Sequence, residues 1–178
     1  RMVEQCIRAD TLLILPTGLG KTIIAARTAA EFLTDGKILM MAPTKPLVEQ
    51  HFEEFSRLLT DVRISMINGL MKDTKRAGIV ADSDVIISTP QTISNDLDAG
   101  RYDLSGFSLI IYDEAHRGRG DYAYVNVARY VKKGTRRIGM TASPGSSVEK
   151  IEEVCLNLGL KRIDMRTEND PDVSPFVH

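Results

Sequence analysis

Six short apolar runs, each separated by a stretch with helical spacing, limit what this chain can fold into more than any other feature. They are Leu12–Leu15, Lys37–Ala42, Arg63–Ile67, Val85–Thr89, Phe107–Tyr112 and Arg137–Thr141. Their apolar residues are nearly continuous rather than alternating, the pattern of strands covered on both faces. Strands that recur between helices form βαβ units, and these assemble into a parallel sheet. The expected fold is therefore α/β: a doubly wound parallel sheet with helices on both faces, in one domain.

The intervening helices are legible. Met2, Val3, Cys6 and Ile7 give helical spacing to residues 1–9, and Ile23, Ile24, Ala30 and Leu33 form a small-residue face after the first run. In 45–59 the stripe Leu47, Val48, His51, Phe52, Phe55, Leu58 and Leu59 recurs at i, i+3 and i+4. His51 lies inside that stripe and reads as a structurally satisfied histidine at the core edge. Tyr124, Val127, Ala128 and Val131 mark a helix in 121–133. Val148, Ile151, Val154, Cys155 and Leu158 mark another in 147–158, with Ser146 and Glu149 as a capping box and Gly159 as the stop. The domain is expected to span 1–166. The tail 167–178 carries two prolines and no period, and reads as a linker.

Composition narrows the function classes. The chain has 178 residues and a formal net charge of −1, from 23 Lys+Arg against 24 Asp+Glu. It is not a generally basic protein, so any nucleic-acid contact has to come from local features. Arg117 with Arg119, Lys132-Lys133 with Arg136-Arg137, and Lys72/Lys75/Arg76 are local basic clusters that read as solvated faces. Cys6 and Cys155 are too few for a disulfide framework or a metal cluster and read as reduced, mostly buried thiols. No apolar run approaches the roughly 18 residues of a membrane span, and no signal peptide is visible. An intracellular location without a membrane partner is expected, cytoplasmic in an archaeon or nuclear in a eukaryote.

Chemistry concentrates in two stretches. The first run leads directly into Pro16-Thr17-Gly18-Leu19-Gly20-Lys21-Thr22, and a helical pattern starts at Gly20. Strand, glycine-bearing loop and helix is the context of a phosphate cradle: backbone N–H groups converge on an anion and the helix N-terminus adds partial positive charge. Lys21 would reach the β/γ-phosphates of ATP, and the Thr22 hydroxyl would ligate Mg2+. Leu15 stands where the strict P-loop pattern has glycine. The second stretch, Leu109 to His116, ends a buried strand with two adjacent carboxylates. Ligands of open α/β sheets bind at that carboxyl edge. Asp113 is placed to hold Mg2+ and Glu114 to orient and deprotonate an attacking water.

These stretches resemble motifs I and II of superfamily 2 helicases. Ala42-Pro43-Thr44-Lys45-Pro46-Leu47 is similar to motif Ia, Ser88-Thr89-Pro90-Gln91-Thr92 to motif Ib, and Met140-Thr141-Ala142-Ser143-Pro144-Gly145 to motif III. All stand in the family's order across residues 15–145. The loop around Gly18, the segment Asp113–Val125 and the stretch Glu168–Val173 look closer still to archaeal Hef helicases, relatives of the FANCM translocases, in which leucine at the position of Leu15 is normal. The resemblance implies a first RecA-like motor domain. It also implies nucleic-acid contacts by Pro43, Thr44, Lys45, Gly69, Thr89, Pro90, Gln91 and Thr92, and coupling of the nucleotide site to Thr141 and Ser143 through His116. Thr44 and Thr89, each before a proline, would cap two helices whose N-termini could each bind a backbone phosphate; Gly100 would end the second. Asn68-Gly69 is a turn signal, and in related helicases a glycine there approaches the strand backbone.

The function so implied is an ATP-dependent DNA helicase or translocase acting on forked or branched DNA, as in repair of stalled replication forks. The partners implied are DNA, a second RecA-like domain of the same parent chain and, in archaeal members, a C-terminal nuclease domain. Nothing after Gly145 resembles second-domain motifs, so the chain reads as half a motor that binds nucleotide modestly, hydrolyses it poorly and unwinds nothing. The alternative is an RNA-directed relative, Dicer-like or innate-sensor-like. A small-molecule P-loop kinase would give no reason for Thr-Pro-Gln-Thr or Thr-Ala-Ser-Pro at those places, and a non-catalytic scaffold would have no use for Lys21, Thr22, Asp113 and Glu114 together.

Overall fold

The computed structural model describes residues 2–16, 20–142 and 147–165. Helix α1 (Met2–Arg8) precedes strand β1 (Thr11–Ile14), and α2 (Lys21–Phe32) leads to β2 (Lys37–Met41). Then come α3 (Lys45–Leu58), β3 (Ile64–Met66), α4 (Asp73–Asp82), β4 (Val85–Ser88) and α5 (Pro90–Asp98). Strand β5 (Phe107–Asp113) ends in a 3-10 turn (Ala115–Arg117), followed by α6 (Ala123–Tyr130), β6 (Arg136–Thr141), α7 (Val148–Leu158) and β7 (Arg162–Met165). The seven strands form one sheet in the order β3-β4-β2-β5-β6-β1-β7, and each adjacent pair is parallel.

Alternation along the central strands sorts side chains onto two cores. Leu13, Ile38, Met40, Ile87, Leu109, Ile111 and Met140 pack with α1, α2 and α3 on one face. Leu12, Leu39, Met41, Ile86, Ile110 and Tyr112 pack with α5, α6 and α7 on the other. The near-continuous apolar runs thus have the meaning expected of them, and the doubly wound sheet is borne out. Leu15 lies past the end of β1, yet its N–H still donates to the Thr141 carbonyl at 3.0 Å and prolongs the ladder.

Two elements lie outside the sequence expectation, α4 and β7. In α4 the inward stripe includes Arg76, which is 6% exposed and ion-paired to the fully buried Asp96 at 2.7 Å. The reading of Lys72/Lys75/Arg76 as a solvated face holds only for the two lysines. Arg136 is likewise not simply solvated, for it pairs with Asp10 at 3.0 Å. The N-cap of α7 is Ser147, whose hydroxyl accepts the Lys150 N–H; Ser146 lies outside the described residues. Val148, expected in the buried stripe, is 67% exposed, and Leu58 and Ala30 also face solvent. Val148 opens α7, Leu58 closes α3 and Ala30 lies in the last turn of α2. Both cysteines are free, and burial pushes the Cys6 thiol up to about 12. Among the described residues no helix is long and apolar enough to cross a membrane.

Candidate nucleotide and nucleic-acid site

Because every strand points the same way, the segments leaving β1, β2, β4, β5 and β6 all emerge at one carboxyl edge. Lys21 and Thr22, Thr44 and Lys45, Thr89, Glu114 and Ala142 follow those strands within a few residues. Gly20 caps α2 with φ 78°, the left-handed region that costs glycine little and a side chain more. Thr17, Gly18 and Leu19 lie outside the described residues, as do Ser143 to Ser146 and the tail 166–178.

Asp113 is the last residue of β5 and is 3% exposed. Its Oδ1 accepts the Glu114 N–H at 2.9 Å, and its Oδ2 accepts from His51 Nε2 at 2.7 Å. Burial alone would raise its pKa. The His51 hydrogen bond, the nearby Lys21 charge and the Glu114 N–H outweigh that and hold the carboxyl below the ordinary carboxylate range. His51 Nδ1 lies 3.3 Å from the Thr22 hydroxyl. One imidazole from α3 therefore joins Thr22 and Asp113. The helical stripe correctly placed His51 at the core edge with its nitrogens satisfied, but its partners are 29 and 62 residues away, and no local pattern names them.

Glu114 has φ 53° and ψ 47°, a left-handed conformation that costs a non-glycine residue on the order of 1 kcal/mol. The turn aims its half-buried carboxylate along the edge beside His116, whose Nδ1 is 3.5 Å from Glu114 Oε2 and 2.9 Å from the Thr141 hydroxyl. His116 and Thr141 thus meet, the pair that the family resemblance links. Below them Tyr124 donates to the Met41 and Asp113 carbonyls, tying the ends of β2 and β5 to α6.

The candidate nucleic-acid residues divide by exposure. Thr44, Lys45, Gly69 and Gln91 are exposed and Pro43 and Thr89 half-buried, whereas Pro90 and Thr92 are buried. Thr44 caps α3 by accepting the Leu47 N–H, whereas Thr89 makes no such bond and instead lies 3.3 Å from the Thr92 hydroxyl. Gly69 does not crowd the strand backbone: the nearest atom to a Cβ there would be Thr92 Oγ1 at 3.8 Å. The turn itself is as expected, with Asn68 Oδ1 accepting the Leu70 N–H. A largely apolar cavity of about 470 Å3 between α3, β3 and the 67–71 segment opens beside Lys45, Asn68 and Thr89, away from Lys21 and Asp113.

Among the described residues no three His, Cys, Asp or Glu side chains converge as a metal cage. One hydroxyl and one carboxylate suit an ion that arrives with phosphates and keeps several waters, which is how Mg2+ is usually held.

The family model described as type III restriction enzyme, res subunit, matches residues 4–146. The chain belongs to that family. The chain is similar to a Methanocaldococcus jannaschii protein named provisionally as an ATP-dependent RNA helicase, 43% identical over 99% of this chain and 24% of its own length. The ATP-dependent DNA helicase mph1 of Sclerotinia sclerotiorum is 42% identical over 99% of this chain and 15% of its own. The crystal structure of the Pyrococcus furiosus Hef helicase domain superposes with a TM-score of 0.91 at 48% identity, over 99% of this chain and 39% of that one. The RecA-like fold and the resemblance to Hef-type helicases are borne out. The chain spans a quarter or less of the two sequence relatives' lengths.

Proposed function

We propose that this chain is the nucleotide-binding half of an ATP-dependent DNA helicase or translocase motor, and that the full protein works on forked or branched DNA. The observation that carries the reading is the meeting of Thr22 at the start of α2 with the Asp113 carboxylate at the end of β5, through one buried imidazole. That geometry supports a cradle in which the loop before α2 and Lys21 hold phosphates and Thr22 and Asp113 hold Mg2+. The metal, when bound with ATP, neutralises charge on the phosphates. Glu114, at the rim of the same edge, is suited to accept a proton from water. The contact of His116 with Thr141 supports a relay from this site toward β6.

On the same edge, α3 and α5 start side by side, because β2 and β4 pair with Met41 level with Ser88. Two neighbouring helix N-termini with exposed Thr44, Lys45 and Gln91 suit consecutive phosphates of one nucleic-acid strand. Pro90 and Thr92, being buried, would act by shaping the α5 terminus rather than by touching DNA. The domain is assigned to 1–166, with 167–178 leading toward a second RecA-like domain. That domain would supply the arginines that stabilise the transition state; a nuclease domain is a further partner suggested by the Hef likeness.

An RNA-directed ATPase is the second reading, favoured by the name of the archaeal relative. The discriminating experiment measures ATP hydrolysis by the full-length protein with forked DNA and with duplex RNA. Stimulation by forked DNA, abolished by Lys21→Ala, is expected. Stronger stimulation by duplex RNA would reverse the substrate assignment, and turnover unchanged by Lys21→Ala would sink the site assignment.

A further inference from the structure

We infer that His51 is a positioning residue for the nucleotide site, holding the Thr22 hydroxyl and the Asp113 carboxylate in the orientation that a phosphate-bound magnesium ion requires. The inference rests on the reading of those two groups as the magnesium-binding side chains.

The argument is one of donors and acceptors. An ionised carboxylate only accepts, so the 2.7 Å contact with Asp113 Oδ2 requires the proton on His51 Nε2. Its Nδ1 lies 3.3 Å from the Thr22 hydroxyl, within hydrogen-bond reach, so the same ring fixes where that hydroxyl sits relative to the carboxylate. Asp113 is fixed at both oxygens, by Glu114 N–H and by His51, so its carboxylate plane is set before any ligand arrives. Groups behind metal ligands commonly act this way, and their loss costs about 10–100-fold in metal affinity or activity.

Packing fixes the imidazole in turn. His51 is 4% exposed, on the inward face of α3 between Val48 and Phe55, which are both buried in the core with α2. The same helix begins at Thr44 and Lys45, so the residue that orients the metal side chains is built into the element whose N-terminus faces the candidate nucleic-acid rim.

The test uses a fluorescent non-hydrolysable ATP analogue, titrated into the wild-type chain, His51→Ala, His51→Gln and Lys21→Ala, once in Mg2+ and once in EDTA. His51→Ala is expected to weaken binding about 10-fold or more in Mg2+ and to leave the EDTA value within about twofold. His51→Gln, which keeps one donor and one acceptor, should recover part of the loss. Equal weakening in both media, or none in Mg2+, overturns the inference. Lys21→Ala should weaken binding in both media; if it does not, the phosphate-site reading itself has failed. Should His51→Ala not fold, the imidazole 15N shifts of the wild-type chain decide: a proton on Nε2 supports the assignment, and a bare Nε2 contradicts it.

Discussion

Asp96 shows how single residues hold the rim of this molecule in place. It lies on α5, fully buried, and accepts from Arg76 at 2.7 and 2.9 Å, from Arg101 at 2.7 Å and from Tyr102 at 2.9 Å. Arg76 also donates to the Asn68 and Met71 carbonyls, so the segment carrying Gly69 is tied through one guanidinium to the helix that starts at Thr89 and Pro90. Burial would raise the Asp96 pKa, but the bonds from Arg76, Arg101 and Tyr102 and the Arg76 charge lower it below its ordinary value. A depressed folded pKa means the unfolded chain binds the proton first. The group's contribution is therefore present above the unfolded value of about 3.9 and is lost as pH falls through the folded one. Urea unfolding between pH 2 and 7 should show a fall in stability beginning below about pH 4. Asp96→Asn should lower the neutral plateau by about 3 kcal/mol, since it leaves a buried guanidinium without its charge partner, and should flatten the acid limb. An unchanged acid limb in that variant would refute the assignment. From sequence alone Arg76 belonged to a basic cluster, because a charge that is buried by a partner 20 residues away has no local signature.

At the scale of elements, the central strands and their helices were legible because each strand is covered on both faces and each large helix turns an apolar arc inward. The two omissions have physical causes. Helix α4 (DTKRAGIVAD) buries only Arg76 and Val80, so its inward stripe is half guanidinium and shows no apolar period. Among the described residues strand β7 (RIDM) pairs with β1 alone; its polar and apolar residues do alternate, but over four positions, and Ile163 and Met165 are 49% and 57% exposed, so the pattern marks no buried face. Gly36 has a different kind of invisibility. A Cβ there would sit 2.7 Å from the Gly106 carbonyl oxygen, at the irregular start of the β2–β5 pairing. Since backbone must move to admit it, Gly36→Ala should destabilise the chain by about 1–3 kcal/mol in chemical denaturation. Gly78 on α4, with no atom within 4 Å of its Cβ position, is the control: Gly78→Ala should be neutral or stabilising by up to about 1 kcal/mol. A tolerated Gly36→Ala would mean that the close approach of β2 and β5 is looser than described.

At the scale of the whole molecule, parallel strand direction does most of the organising. It gathers Lys21, Thr22, Asp113, Glu114 and His116 with the starts of α3 and α5 on one edge, although they are spread from residue 21 to residue 116. The order of motifs along the sequence foretold that gathering. What it could not foretell was which side chain would join the motifs, because His51 reads locally as one more member of a helical stripe. Lys21, Glu114 and His116 are half-buried on that edge, and on the proposed half-motor reading a second domain would close over the nucleotide. The chain by itself should therefore bind ATP without efficient turnover, and robust DNA-stimulated hydrolysis by the chain alone would contradict the half-motor reading. The most direct test of the central claim is calorimetric titration of the chain with ATP in Mg2+, beside Lys21→Ala. Saturable one-to-one binding that Lys21→Ala removes is the predicted result. Binding of equal strength in the two proteins, or none in the wild type, would contradict it.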